Sequence, residues 1–305
     1  TIQTKNTDTS LPAFKALQIV TGQSTKLPAK KEWYIIVAHR FGDVSKGFKD
    51  FFGLDDASTK LGVIYGATEW LSLNLSRETN QKTFEGGAKY RLVKQNDNFP
   101  VDIVGYNVIA VNTDLSTDNY PHLKFGDRLS YLTQALISKR FNDEFSLQLT
   151  PSYVHKNLYE PTIEDKDQFL AGIGGRYKIS KRISINAEYF VNFDNHSFYK
   201  NPLSIGMDIE TGGHVFQLQV GTRRQGNARL LQHGHNALAG EGGLGCLVTR
   251  AVQTNHNAVT VHRVGAHARH GDQIANSGLR VGWRGNRCDP HHHQRQRERF
   301  EQSVF

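Results

Sequence analysis

The sequence predicts an all-β fold: an antiparallel, up-and-down transmembrane β-barrel of about 12 strands, followed by a C-terminal tail that does not look native to such a fold. Three observations predict it. Long segments alternate between apolar and polar residues, and the connections between them alternate between tight and long. No apolar run approaches the roughly 18 residues that would indicate a membrane-spanning helix.

The alternation is clearest in residues 145–157 and 183–193. Successive side chains of a strand point to opposite faces, so each segment has one apolar and one polar face. Each segment is 11 residues long or slightly longer, beyond the mode of about 5–6 for soluble strands. This length suits the roughly 9–11 residues of a tilted membrane-crossing strand.

The same pattern defines the strands in chain order. The first six are residues 32–41, 58–65, 70–77, 83–93, 101–112 and 127–141, with clear apolar faces in the first four and weaker alternation in the sixth. The next five are residues 145–157, 168–179, 183–193, 203–209 and 214–220, the last two joined by a turn that contains the Gly-Gly pair expected of a hairpin.

The connections carry the second signal. They are mostly tight after the even-numbered strands and mostly longer after the odd-numbered ones, as in barrels with short periplasmic turns and longer outer loops. Aromatic residues also lie near strand ends, as interfacial girdles would: Trp33, Tyr65, Trp70, Phe141, Phe145, Tyr177, Phe193 and Phe216. Because single-chain bacterial barrels have an even number of strands, a twelfth strand is expected after a long loop.

The composition changes near residue 221. The net charge of +8 could suggest nucleic-acid binding. Residues 1–221, however, hold 25 Lys or Arg and 24 Asp or Glu, so nearly all of the excess positive charge lies in the rest of the chain. Residues 222–305 hold 12 Arg, no Lys, no Tyr and 5 Asp or Glu, and neither a strand nor a helix period persists there. Nucleic acid is therefore not an expected partner.

We interpret this break as a reading-frame shift near residues 220–222, with the closing strand garbled. A natural basic disordered tail and a genuine small domain are the alternatives. Sequencing the coding DNA separates them, because the restored frame should give an aromatic, alternating strand. The expected organisation is a polar lead-in or plug over residues 1–31, eleven barrel strands over 32–220, and the tail over 221–305. A bacterial outer-membrane protein needs an export signal, so we expect either that one was removed or that the start is missing here.

With the strands placed, the chain resembles an uncharacterised outer-membrane-type β-barrel family of Bacteroidota-type bacteria, a domain of unknown function. The matching stretches are residues 38–42, 52–55, 145–149, 174–178, 186–189 and 203–218, of which the last is the most specific. The resemblance covers about residues 13–219 and implies one more closing strand, from which this chain departs at about Val220. It implies no activity and no catalytic residues.

The polar parity of the strands predicts the lumen-lining side chains. They are Lys60, Glu85, Lys89, Arg91, Arg176, Lys178, Glu188 and Asp208. Residues of both charge signs are present, so they could pair into a polar plug or line a narrow, ion-selective pore.

The sequence gives little support for a catalytic, phosphate-binding or metal-binding site. His39 and His155 lie on the apolar parity, where an outer-membrane lipase would place a His, but no Ser shares that parity beside either. Glycines 172, 174 and 175 precede no helix, so lumen packing or a strand bend explains them better than phosphate binding. Cys288 and residues 291–293 could bind metal only by accident if the tail is out of frame.

The sequence therefore predicts a bacterial outer-membrane barrel with a structural or narrow-pore role for small solutes or ions. We expect no catalytic site, metal or cofactor. The expected main partner is the lipid bilayer. The alternatives are an outer-membrane hydrolase of the lipase type and a soluble β-barrel ligand binder.

Overall fold

The computed structural model describes residues 12–43, 47–49, 51, 54–55, 57–161, 164–193, 201–212, 214–221 and 243–253; for Asp43, Asn80 and the last range only the backbone is described. Within these ranges, no helix is long and apolar enough to cross a membrane. The proposed frame-shift junction at residues 220–222, apart from Val220 and Gly221, and the Cys288–His293 cluster lie outside them.

Twelve antiparallel strands form a closed barrel in which each strand pairs with its neighbours in sequence and β12 pairs with β1. The strands are β1 Glu32–Asp43, β2 Ala57–Gly66, β3 Leu71–Glu78, β4 Thr83–Val93, β5 Asp102–Asn112, β6 Leu129–Arg140, β7 Phe145–Lys156, β8 Asp167–Lys178, β9 Ile183–Asn192, β10 Leu203–Thr211, β11 His214–Gly221 and β12 Gly243–Gln253. Short 3-10 helices at Asn80–Lys82 and Phe125–Arg128 precede β4 and β6.

The barrel is apolar outside and largely polar inside. Exposed side chains such as Leu75 (65 %) and Phe169 (60 %) lie on one parity of their strands, while Glu85 and Gln148 on the other parity are each 1 % exposed. In β9 exposed and buried residues alternate over eight consecutive positions. Water-soluble barrels have the reverse arrangement, so this surface is suited to lipid.

The two ends of the barrel differ, as predicted. At one end, called here the turn end, the connections 67–70, 94–101, 141–144, 179–182 and 212–213 join the strands. The opposite end, the loop end, carries the longer connections apart from residues 79–82. Aromatic pairs lie at the turn end, with ring centroids 4.4 Å apart for Trp33 and Tyr65 and 5.7 Å apart for Phe141 and Phe145.

The predicted fold class is confirmed, and each of the eleven predicted strands has a counterpart whose ends differ by at most two residues. The difference lies in the tail, where the expected twelfth strand was taken to be garbled and given no position within 221–305, and the structure has β12. Its backbone pairs with β1 from Glu32↔Gln253 onward and with β11 from His214↔Arg250 onward. Unpaired strand edges offer hydrogen bonds to any extended segment, whatever its side-chain pattern.

The segment before β1 lies inside the barrel. Residues 12–28, called here the lumen plug, have no regular secondary structure except one bridge between Gln18 and Gln23. Ala13, Phe14, Ile19 and Val20 form a small apolar cluster within it. Of the two roles predicted for residues 1–31, lead-in or plug, residues 12–28 have the geometry of the second.

Candidate functional site

The lumen plug is held by a tight reversal of the chain. The Ile19 amide donates to the Gly22 carbonyl at 2.8 Å, and the Ser24 amide donates to the Leu17 carbonyl at 3.0 Å. The Ser24 hydroxyl also donates to the Ala16 carbonyl at 2.6 Å. These bonds leave other backbone groups of the plug facing the barrel wall, where buried polar groups need partners.

Glu188 of β9 accepts the plug's donors. Its Oε2 atom lies 2.8 Å from the Gly22 nitrogen, 3.0 Å from the Thr21 nitrogen and 3.1 Å from the Thr21 hydroxyl. Glu188 is buried, and a buried carboxylate needs such donors to offset its lost hydration. This residue thus joins the plug to the wall.

Lys89 and Arg91 of β4 donate to the plug's carbonyl groups. The Lys89 ammonium lies 3.0 Å from the Ser24 oxygen, with the carbonyls of Leu17 and Lys26 at 3.4 and 3.3 Å. Arg91 donates to the Thr25 carbonyl at 3.1 Å. A second contact of Arg91 is its ion pair with Asp102 at 3.2 Å.

Neutral wall side chains complete the attachment. Gln148 of β7 accepts from the Thr25 amide at 3.1 Å and donates to the Gln23 carbonyl at 2.7 Å. The hydroxyls of Thr25 and Ser138 lie 2.6 Å apart. On the other side, Gln219 of β11 donates to the Val20 carbonyl at 2.6 Å. The plug therefore contacts β4, β6, β7, β9 and β11.

Close packing reinforces these bonds. A Cβ atom at Gly174 of β8 would lie 2.8 Å from Ile19, and one at Gly22 would lie 1.7 Å from the Glu188 carboxylate. Gly174 therefore serves lumen packing, one of the two explanations offered for it above. Leu27 packs against a buried apolar cluster of the wall that includes Val104 and Leu136.

The structure separates the eight predicted lumen residues into groups. Glu188, Lys89 and Arg91 contact the plug, as described. Lys60 and Glu85 form a buried ion pair at 2.5 Å, and the Ser76 hydroxyl adds a bond to Glu85 at 3.1 Å.

The other three predicted residues lie nearer the turn end. Asp208 accepts from Gln217 at 2.7 Å and contacts the Ser184 hydroxyl at 3.4 Å. Arg176 is buried and Lys178 half-buried, and both line a cavity at the turn end. That these eight residues line a conducting path remains a prediction.

Cavities lined by described residues lie near both ends of the barrel interior and between them. One of about 500 Å³, called here the turn-end vestibule, is lined by residues from Pro12 and Lys15 to Val215. Another, of about 280 Å³, is lined by residues of the loop end such as Arg128 and Lys156. Between them a space of about 30 Å³ beside Lys60 and Lys89 holds no more than a few waters at roughly 10–15 Å³ each.

Neither of the two outward histidines contacts a serine among the described residues. The ring nitrogens of His155 contact Asp167 at 2.6 Å and Asn157 at 3.0 Å, so neither faces a serine. His39 Nδ1 meets the Thr59 hydroxyl at 3.0 Å on the exposed face. Among the residues described, no group of three His, Cys, Asp or Glu side chains could hold a metal ion.

Sequence reasoning missed several wall residues that hold the plug. Gln148, Ser138, Gln217 and Gln219 lie on the polar parity of their strands but are uncharged, and the prediction selected charged residues. The polar parity itself was the signal that could have found them.

Fold and lumen together define a membrane β-barrel whose inner wall binds residues 12–28 of the same chain. The chain belongs to the family described as Membrane bound beta barrel domain (DUF5777), whose model matches residues 14–241. The resemblance to an uncharacterised barrel family is thus confirmed.

Among solved structures, the barrel is similar to the KdgM porin in complex with disordered oligogalacturonate, at 11 % identity and a TM-score of 0.49, over 72 % of this chain and 99 % of that one. It is also similar to the NanC porin, at 10 % identity and a TM-score of 0.47, over 72 % and 98 %. A mutant Rh. blastica porin matches at 15 % identity and a TM-score of 0.33, over 65 % and 56 %. No curated protein matches the chain.

Proposed function

We propose that this protein is a non-enzymatic outer-membrane barrel that passes small solutes or ions through a narrow lumen when the lumen plug moves. The observation that carries the proposal is the arrangement of the cavities. Vestibules of about 500 and 280 Å³ lie at opposite ends of the barrel, and the section between them is closed by the plug and the side chains that hold it. The described structure is then the closed state.

The chemistry of the wall supports passage of polar solutes. Once the plug leaves, Glu188, Lys89 and Gln148 would face an aqueous path, and charged or amide side chains are the groups that line selective pores. The plug is attached by hydrogen bonds to a preformed wall rather than by strand pairing. Its release therefore leaves the barrel's ladder of hydrogen bonds intact.

The two alternatives fit less well. The exposed Leu and Phe side chains of the exterior disfavour a soluble binder, because water would surround a continuous apolar band. The engagement of both ring nitrogens of His155 disfavours a hydrolase. A purely structural barrel remains the rival that an experiment must separate.

A reversible lock tests the proposal. Thr25 of the plug and Ser138 of β6 have hydroxyls 2.6 Å apart, so the T25C/S138C variant should form a disulfide between plug and wall. Cys246 and Cys288 are first replaced by Ser in the full chain. Planar-bilayer conductance of the oxidised variant should show no openings, and addition of reductant should restore them.

The control is the C246S/C288S parent, whose openings should not respond to reductant. Current through the oxidised lock at the level of the reduced protein would show that conduction does not need plug movement. Silence of the parent and of the reduced variant, after insertion is verified, would favour a structural barrel.

A further inference from the structure

The turn-end vestibule collects cationic side chains from two parts of the molecule. Lys15 and Lys26 come from the lumen plug, whereas Arg140, Arg176 and Lys178 come from the turn ends of β6 and β8. Two carboxylates, Asp143 and Glu210, also line it. The volume of about 500 Å³ lies within the range of about 300–1,000 Å³ that is typical of small-molecule pockets.

The two carboxylates are already engaged. Glu210 pairs with Lys15 at 2.8 Å, and Asp143 pairs with Arg140 at 2.7 Å. Across the described ranges, Lys26, Arg176 and Lys178 have no ion pair. These three cations therefore make no direct ion pair with a described residue, although the charges of Asp208 and Glu210 act on Arg176 through space.

Arg176 is the most informative of these residues. Its side chain is 4 % exposed, and its Nε atom has no hydrogen-bond partner among the described residues. The nearby Asp208 carboxylate accepts hydrogen bonds from Gln217 and Ser184, and it acts on Arg176 only through space, without a direct ion pair. Because an unpaired buried guanidinium is costly, its position at a cavity wall indicates a missing counter-anion.

We propose that the turn-end vestibule binds a small multivalent oxyanion, carrying carboxylate or phosphate groups, through Arg176, Lys178 and Lys26. A guanidinium presents paired N–H groups that match the oxygens of a carboxylate or phosphate. The two ammonium groups add point charges on either side of it. This binding is strengthened by the plug in place, because Lys26 belongs to the plug, and it does not depend on whether the barrel conducts.

Lys26 gives independent support from the plug side. Burial, more than any neighbouring charge, lowers the pKa of its ammonium group; Glu32 and Glu210 act in the opposite direction, and Arg91 and Lys15 act in the same direction. A bound anion would favour the charged form. The anion would also contact plug and wall together, because Lys26 and Arg176 belong to different parts of the chain.

Isothermal titration calorimetry on the full, detergent-folded protein tests the site. Citrate and inorganic phosphate are the probes, and glycerol is the uncharged control. We expect one citrate or phosphate per barrel, no heat from glycerol, and weaker binding at high salt. Binding by only one of the two anions would also support the site and identify the preferred chemistry.

Variants assign the binding to the vestibule. R176Q and K178Q should each weaken anion binding by about tenfold or more, as expected for charge-assisted hydrogen bonds, and R176K should retain part of it. The control is K94Q, which removes one charge from an exposed residue of a turn at the same end that does not line the cavity. Far-UV circular dichroism verifies that each variant is folded.

Two results would overturn the proposal: no binding of either anion to the wild-type protein, or an equal loss of binding in K94Q and R176Q. Conductance of the same preparation is measured separately. A failure of the channel proposal is therefore distinguishable from a failure of the anion site.

Discussion

Gly22 and Glu188 meet at the centre of the barrel, where the Gly22 amide donates to the Glu188 carboxylate at 2.8 Å. The contact leaves no room for a side chain, since a Cβ atom at Gly22 would lie 1.7 Å from Glu188 Oε1. The plug's position therefore depends on a glycine facing a buried acid.

Gly22→Ala should loosen the plug and raise the open probability of the barrel. The new methyl group must displace either the Glu188 side chain or the plug's backbone, and both break the hydrogen bond between them. Single-channel recording in a planar bilayer measures the effect. Gly86→Ala is the matched control, because a Cβ there meets nothing within 4 Å. Equal open probability in the two variants would contradict the plug's role as the gate.

Glu188→Gln should also raise the open probability of the barrel, without changing side-chain size. It removes the negative charge that receives bonds from Thr21 and Gly22. Bonds to charged groups contribute about 1.5–3 kcal/mol, and about 1.4 kcal/mol is a factor of ten. The open-to-closed ratio should therefore rise about tenfold or more. Glu144→Gln, at an exposed turn residue, should leave the ratio unchanged, and an unchanged ratio in both would remove Glu188 from the gate.

The contrast between the plug and the strands shows what the sequence encodes locally. In β9, Ile185 and Asn186 face opposite sides because neighbouring strand residues must, so alternation alone located the strand and its lipid-facing side. Thr21 and Gly22 have no such periodicity. Their positions are set by Glu188, which lies 167 and 166 residues away along the chain, and a single sequence carries no signal of that contact.

β12 was expected but not located, for a different reason. The backbone of Val248 lies opposite Val37 of β1 and opposite Phe216 of β11, so two strand edges define its path. Its own residue pattern did not predict a strand. The even strand number of bacterial barrels predicted a twelfth strand after a long loop. It could not say which residues form that strand.

Val248→Pro tests whether β12 closes the barrel. Proline removes a backbone donor and is poorly tolerated between two paired strands. We expect the variant to lose the barrel or to unfold at clearly lower urea concentration in detergent. Val248→Thr keeps the backbone donor and should behave like the wild-type protein. If the proline variant is as stable as the threonine variant, pairing of β12 with β1 and β11 does not contribute to stability.

The buried Lys60–Glu85 pair should show a stability pattern typical of buried ion pairs. Lys60→Met removes the cation that faces a carboxylate 1 % exposed, and loss of one partner typically costs about 3–5 kcal/mol. The double variant K60M/E85M should recover most of this loss, because no unbalanced charge remains. Urea unfolding in detergent compares the three proteins. A double variant that remains as unstable as K60M would show that the pair stabilises the barrel by more than its desolvation costs.

Citrate on the turn-end side should reduce the open probability, provided that the vestibule binds anions as proposed. The anion would contact Lys26 of the plug and Arg176 of the wall together, so it would bind better when the plug is in place. By linkage, a ligand that prefers the closed state shifts the population toward it. R176Q should lose this inhibition while K94Q keeps it, with citrate titrated against single-channel current. Equal inhibition in R176Q and K94Q would instead indicate general pore block, whereas anion binding without inhibition would mean that the site forms equally well with the plug displaced.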